Sequence, residues 1–178
     1  DFIGARVYYD DPTVCIEDGD CFFTIQEAVN DASEGDTINV GAGTYEEGGI
    51  EVTTANLSIV GPGIEGVVEE DRAFFVADGC SSFPGAAFHL HADGITLSGL
   101  DINGSGCTHT VHVGDLAEIQ VRDVTVTDNA IHGSTFGTTI SWGSSYDEGV
   151  PNVVTGNDIY SNSVGVLLNS ASNNTVSD

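Results

Sequence analysis

A short strand pattern that recurs along the chain constrains its fold more than any other feature. Ile95-Thr-Leu-Ser-Gly-Leu-Asp-Ile-Asn-Gly104 lies over Ile119-Gln-Val-Arg-Asp-Val-Thr-Val-Thr-Asp128, and Asn152-Val-Val-Thr-Gly-Asn-Asp-Ile-Tyr-Ser161 follows the same scheme. Asn174-Thr-Val-Ser-Asp178 begins it again, and Asn56-Leu-Ser-Ile-Val-Gly61 reads as an early copy. The spacing is 24 residues from Ile95 to Ile119 and 22 from Asn152 to Asn174; longer gaps leave room for side loops at 64–86 and 143–151. Within a copy, apolar residues alternate (Ile95 and Leu97; Val124 and Val126), so each short strand has one apolar face. A single coil cannot bury that face. Coils stacked about 4.8 Å apart pair their strands in parallel and enclose one apolar bore. Repeats of this period built from strands predict an all-β solenoid of about five coils. Asparagines at the corners (Asn129, Asn157, Asn162) tolerate left-handed backbone and can stack in ladders.

The beginning of the chain is different. Ile25, Ala28, Val29 and Ala32 recur at the i, i+3, i+4, i+7 spacing of one helical stripe. Thr24 stands where an N-cap belongs, with Glu27 three residues on completing a capping box, and Gly35 ends the element. A strand at Ile38 and Val40 and a glycine turn follow. The organisation is therefore an N-terminal segment over 1–23, then a solenoid over 24–178. Four cysteines, Cys15, Cys21, Cys80 and Cys107, contain no C-x-x-C pair, which weakens zinc and thioredoxin-type readings. Their even number favours two disulfides, with three connectivities open; proximity prefers Cys15 with Cys21 and Cys80 with Cys107. Sequons at Asn56, Asn103 and Asn173 and the absence of an initiator methionine agree with an exported chain, outside the cell or on its surface.

Charge then limits the partners. The 178 residues carry 28 acidic and 3 basic side chains, a formal net charge of −25, and the cations are Arg6, Arg72 and Arg122. Binding to DNA, RNA or anionic lipid needs clustered Lys and Arg, so these partners are excluded. No run approaches the ~18 apolar residues of a membrane span. Disorder is also excluded, because the acids are scattered among apolar residues that make up 40% of the chain. A fold this acidic repels itself in ordinary buffer, where the Debye length is about 8 Å, and much less in molar salt, where it is about 3 Å. The composition reads as that of an extreme halophile, an archaeon.

On these residues a family resemblance can be placed. Thr24-Ile-Gln-Glu-Ala-Val-Asn-Asp-Ala-Ser-Glu-Gly-Asp-Thr-Ile-Asn-Val-Gly-Ala-Gly-Thr-Tyr-Glu-Glu47 resembles the opening of right-handed parallel β-helix proteins of the pectin-lyase-like superfamily, which begin with a cap helix. The later copies are similar to the β-helix repeats of NosD-type surface and periplasmic proteins, frequent in haloarchaea. The resemblance implies a right-handed parallel β-helix with a short N-terminal amphipathic cap helix, and makes 1–23 a lead-in strand and disulfide loop. It leaves function open, since that fold hosts lyases, hydrolases, epimerases, adhesins and spikes.

Several residue groups are candidates for chemistry. Lyases of this fold abstract a proton with Arg or Lys and neutralise uronate with Ca²⁺, which singles out Arg122, the cation inside a repeat; its alternative is a surface ion pair with Asp123 or a neighbouring coil. Hydrolases of the fold need two or three carboxylates, and Gly156-Asn-Asp158 and Ile131-His-Gly133 match only part of the polygalacturonase set. His89 and His91 alternate on one strand and share a face; coil alignment puts His112 near His89, His109 beside it and His132 one coil further, a ring able to take Cu or Zn. Asp10, Asp11, Glu17, Asp18 and Asp20 crowd the Cys15–Cys21 loop and offer hard oxygens to Ca²⁺, as does Tyr146-Asp-Glu148; no cofactor is required. Phe74, Phe75, Phe83, Phe136, Trp142 and Tyr146 either line a sugar groove or seal loops onto the solenoid.

The repeat breaks off at Asp178, which reads as either part of a longer solenoid or an open C-terminal coil available for self-association. Taken together, the sequence predicts a non-catalytic extracellular or cell-surface module, structural or glycan-binding, whose partners are glycans or other surface proteins. Its alternatives are a carbohydrate-active enzyme, lyase or hydrolase, and a subunit of a surface filament or viral spike.

Overall fold

Alternating apolar residues do assemble into stacked coils. The computed structural model describes residues 13–82, 84–114, 120–141 and 150–178. Each coil contributes one strand to each of three sheets, here A, B and C. Sheet A runs through Thr37–Val40, Ser58–Val60, Thr96–Ser98, Thr125–Thr127, Val153–Thr155 and Thr175–Ser177, all parallel. Sheet B contains Gly43–Glu47, Ala73–Ala77, Leu100–Asn103, Ala130–His132 and Asp158–Tyr160; sheet C contains Ile50–Val52, Ala86–Leu90, His109–Val113, Phe136–Ser141 and Val164–Asn169. The fold is all-β, a parallel β-helix, with the right-handed crossover expected of parallel strands.

The bore is filled row by row. Ile38, Ile59, Leu97, Val126 and Val154 stack inward on sheet A, and Tyr45, Phe75, Ile102 and Ile131 on sheet B. Sheet C adds Ile50, Phe88 and Val111 in one row and Val52, Leu90, Val113 and Ile140 in another. All of these are buried. The N-terminal end is closed by helix α1 (Ile25–Asp31), whose Ile25, Ala28 and Val29 are buried. Thr24 caps it, its hydroxyl accepting the Glu27 N–H. The first two N–H groups are taken instead by the Glu47 carboxylate, from Ile25 at 2.7 Å and Gln26 at 3.1 Å. Burial pushes the Glu47 carboxyl up, and those two N–H groups partly offset the shift. The hairpin Val14–Ile16 with Cys21–Phe22 adds two antiparallel strands to the end of sheet A. The disulfides are Cys15–Cys21 within that hairpin and Cys80–Cys107 between successive coils.

Two details differ from the sequence reading. The 22-residue spacing holds, with Val153 paired to Thr175, but the 24-residue one does not: Leu97 stacks on Val126, so the third and fourth coils are offset by 29 residues. Ile119 lies outside the described residues. Coil length varies because loops of different size leave the corners, so a nearby apolar pair can imitate the true row. The interval 64–86 is likewise not one loop, since Ala73–Ala77 is a full strand of sheet B with Phe75 in the core. Residues 143–149 of the second side loop lie outside the described residues.

The corner asparagines do stack. Asn129 accepts the Leu100 N–H and donates to the Leu97 and Thr127 carbonyls and to Asn157 Oδ1 in the next coil. Asn152 and Asn174 repeat this at a second corner, and Asn162 sits under Ser134 at a third. The left-handed residue is not the asparagine itself but the one before it: Asp128, Gly156, Ser161 and Asn173 all have positive φ. Where coils come close at a corner, glycine is required. At Gly99, with φ +72°, a Cβ would stand 2.6 Å from the Gly61 carbonyl oxygen.

Candidate functional site

Outward positions of sheets B and C gather two groups of polar side chains. On sheet B, strand Leu100–Asn103 places Asp101 outward and buried, with 4% of its side chain exposed. One carboxylate oxygen accepts from His132 Nε2 at 2.9 Å and the other pairs with an Arg72 guanidinium nitrogen at 3.4 Å. Arg72 also donates from Nε to the Val67 carbonyl and from its remaining terminal nitrogen to the Ile64 carbonyl. Its charge is thus held by the protein. Tyr160, one coil beyond His132 in the same row, stacks on that ring with centroids 4.8 Å apart and planes within 12°. Burial, and then the Asp101 and Asp158 carboxylates, push the Tyr160 hydroxyl up; Arg72 offsets this in part. Beside the pair lies a groove of about 500 Å³, lined by Arg72 and Tyr160 with Asp128, Asp158, Glu65 and Asn157.

On sheet C, Glu51, His89, His112 and Thr139 form one outward row across four coils. His89 and His112 are buried. His89 Nε2 donates to the Gly114 carbonyl at 2.9 Å, His112 Nε2 meets Ser141 Oγ at 2.9 Å, and His109 Nδ1 meets Thr139 Oγ1 at 2.8 Å. The rings touch by faces and edges: His91 on His89, His89 on His112, His112 on His109, and His109 on Phe136. Burial, and then the nearby His89, hold the His109 imidazole below its usual range.

The structure therefore brings His89, His91, His109 and His112 together but sends His132 to sheet B. That separation follows from the register, which aligns His132 with Asn103 rather than with the sheet C row. Arg122 lies in neither group. It sits half-buried at a corner, its backbone N–H donated to Asp93 Oδ1, beside an exposed Asp123 at φ 60°. Glu17, Asp18 and Asp20 are exposed around the hairpin turn; Asp10 and Asp11 lie outside the described residues, as do Arg6, Phe83, Trp142, Tyr146, Asp147 and Glu148. Phe75 is core, while Phe74 and Phe136 are half-buried on outward faces. Asn56 and Asn173 are exposed at left-handed turns, and Asn103 is half-buried in its strand. Sequence reasoning missed Arg72 and Asp101. The signal was there only in the inward–outward alternation around Ile102, which makes Asp101 outward.

A family model described as "Periplasmic copper-binding protein (NosD)" matches residues 29–178. No curated protein and no solved structure matches the chain. Among the described residues no three His, Cys, Asp or Glu side chains are placed to hold a metal ion.

Proposed function

Because the chain belongs to the NosD family, we propose that it is a β-helix module working outside the cytoplasm, which binds a glycan in the groove on sheet B. One observation carries the reading. An exposed tyrosine ring, held flat by stacking on His132, forms one wall of a groove of about 500 Å³ that is also lined by the carboxylates of Glu65, Asp128 and Asp158, the Asn157 amide and the paired Arg72. An aromatic platform beside hydrogen-bonding groups suits the apolar face and the hydroxyl edges of a sugar ring. Charge narrows the ligand. Arg72 is occupied by Asp101 and two carbonyls, so Glu65, Asp128 and Asp158 leave the groove acidic. Neutral sugars fit it and uronates do not. Both disulfides agree with an oxidising compartment, and no helix among the described residues is long and apolar enough to cross a membrane. The acid excess agrees with a salt-rich habitat, where screening removes most of the self-repulsion.

Asp128 and Asp158 lining one groove favour a second reading, glycoside hydrolysis by a carboxylate pair. One experiment addresses both. The chain is incubated in molar NaCl with a panel of neutral glycans and polyuronates, and binding and cleavage are followed together. Neutral-glycan binding without cleavage is expected, weakened roughly fivefold in Tyr160→Ala, as about 1 kcal/mol of ring contact implies. Polyuronate preference, or binding indifferent to that substitution, overturns the groove reading. Cleavage lost in Asp128→Asn or Asp158→Asn replaces the module with an enzyme.

A further inference from the structure

We infer that these 178 residues form no copper centre, and that the family's β-helix is used here without the metal its description names. The inference is independent of the glycan reading. Thiolate and thioether ligands suit Cu(I), and imidazole suits both oxidation states. The sequence has no methionine, and all four cysteines are in disulfides. That leaves five histidines, all within the described residues. The residues outside them (1–12, 83, 115–119 and 142–149) contain no His, Cys or Met and can add only oxygen ligands.

His132 is remote from the other four in the register and is held by Asp101 at 2.9 Å. Among the remaining four, two contacts are edge to face, yet no three donor side chains of the described residues are placed to hold one ion. A metal–imidazole bond lies in the ring plane at about 2.0–2.1 Å, so ligand rings must aim their nitrogens at one point. His89 and His91 instead lie nearly parallel, 12° apart with centroids at 5.1 Å, so their planes do not meet at a shared ion. His109 is stacked face to face on Phe136, with centroids 5.2 Å apart. Ring nitrogens of His89, His112 and His109 are engaged with a carbonyl and two hydroxyls. A ligand histidine can keep such a bond through its second nitrogen, so what copper binding would require is that the buried His89 and His112 turn within a packed face to bring their other nitrogens to one point. The strip is better described as a ring-stacked, hydrogen-bonded seam between coils.

The test uses the whole chain without a metal-chelating tag. Cu(II) is added in molar sodium sulfate, which screens the acidic surface, and the protein is gel-filtered. Retained copper is measured by mass spectrometry and electron paramagnetic resonance; Cu(I) is tested separately against a chromogenic chelator. The expected result is no stoichiometric copper in either state, and a Cu(II) spectrum of oxygen ligands that His89→Asn with His112→Asn leaves unchanged. One retained equivalent with nitrogen hyperfine splitting in the unmodified chain overturns the inference, even if the double variant fails to fold. Loss of that splitting in a folded double variant would place the centre on the strip.

Discussion

The outer faces of sheets B and C solve the same problem in opposite ways. Each buries polar side chains against neighbouring coils. Sheet B does it with charge: Asp101, almost fully enclosed, is matched by Arg72 from the preceding coil and His132 from the following one. Sheet C does it with imidazoles set against a carbonyl, two hydroxyls and one another. In a stacked solenoid an outward side chain meets partners roughly one coil away in sequence, so each buried polar group depends on what the adjacent coil supplies. A charge supplied with opposite charge becomes a rigid site. A row of stacked rings becomes a seam.

A covalent tie distinguishes the two faces most strongly. Cys80–Cys107 joins the turns that lead into two adjacent strands of sheet C, across 27 residues. Closing a loop of that size is worth about 3 kcal/mol in the chain-entropy account. Cys80→Ser with Cys107→Ser is expected to lower unfolding stability by that amount, read from urea midpoints in molar NaCl. Replacing the six-residue Cys15–Cys21 link should cost less, because the hairpin ends are already close in the unfolded chain. An equal loss from both would mean that the clamp on sheet C is not what holds these coils.

Asp101→Ala comes next. It leaves Arg72 and His132 facing a buried gap, and breaking a buried pair from one side costs about 3–5 kcal/mol. With 29% of the Arg72 side chain in solvent, a loss of about 2–3 kcal/mol is expected. His112→Ala on sheet C removes packing and the hydrogen bond to Ser141, about 1–2 kcal/mol. The order of these two losses is the sharpest check of the contrast. If His112→Ala costs more, the seam carries more of the fold than the ion pair does.

How much of this was legible follows from which contacts are local. The cap helix was readable because Thr24, Ile25, Ala28 and Val29 act within one turn, and the inward faces at Leu97, Val126 and Val154 because alternation marks them, but the row that stacks Leu97 on Val126 was not, since a nearer apolar pair imitated it. The clustering of His89 and His112 was readable for the same reason, being one row on adjacent strands. The Glu47 brace on the helix was not, because its partners are about 20 residues away and no local signal points to them. Nor was Arg72 with Asp101: the corner loop that carries Arg72 lies in an interval that alternation did not resolve, and a register error of a few residues moves any outward side chain to the wrong neighbour. Arg122 stood out only because it lies inside a recognisable repeat, which is a fact about sequence rather than about space.

The smallest expected effect is electrostatic and tests whether the seam is neutral. Burial, and then His89, keep the His109 imidazole below the usual histidine range in the folded chain, while the unfolded chain returns it to about 6.5. The folded state therefore binds fewer protons as pH falls below that value. His109 contributes its full share of stability above about pH 6.5 and loses it progressively below. The groups packed around it are His89, His112, Thr139 and Phe136, none of which is a carboxylate. Being half-buried, it should account for well under about 1 kcal/mol. Urea midpoints taken at intervals from pH 7.5 to 5.5 in molar salt should show a shallow fall that His109→Gln flattens, before the general protonation of carboxylates begins below about pH 5. A midpoint that rises toward acid would mean that protonated imidazole is stabilised on sheet C, and the contrast with the charge-paired sheet B would disappear.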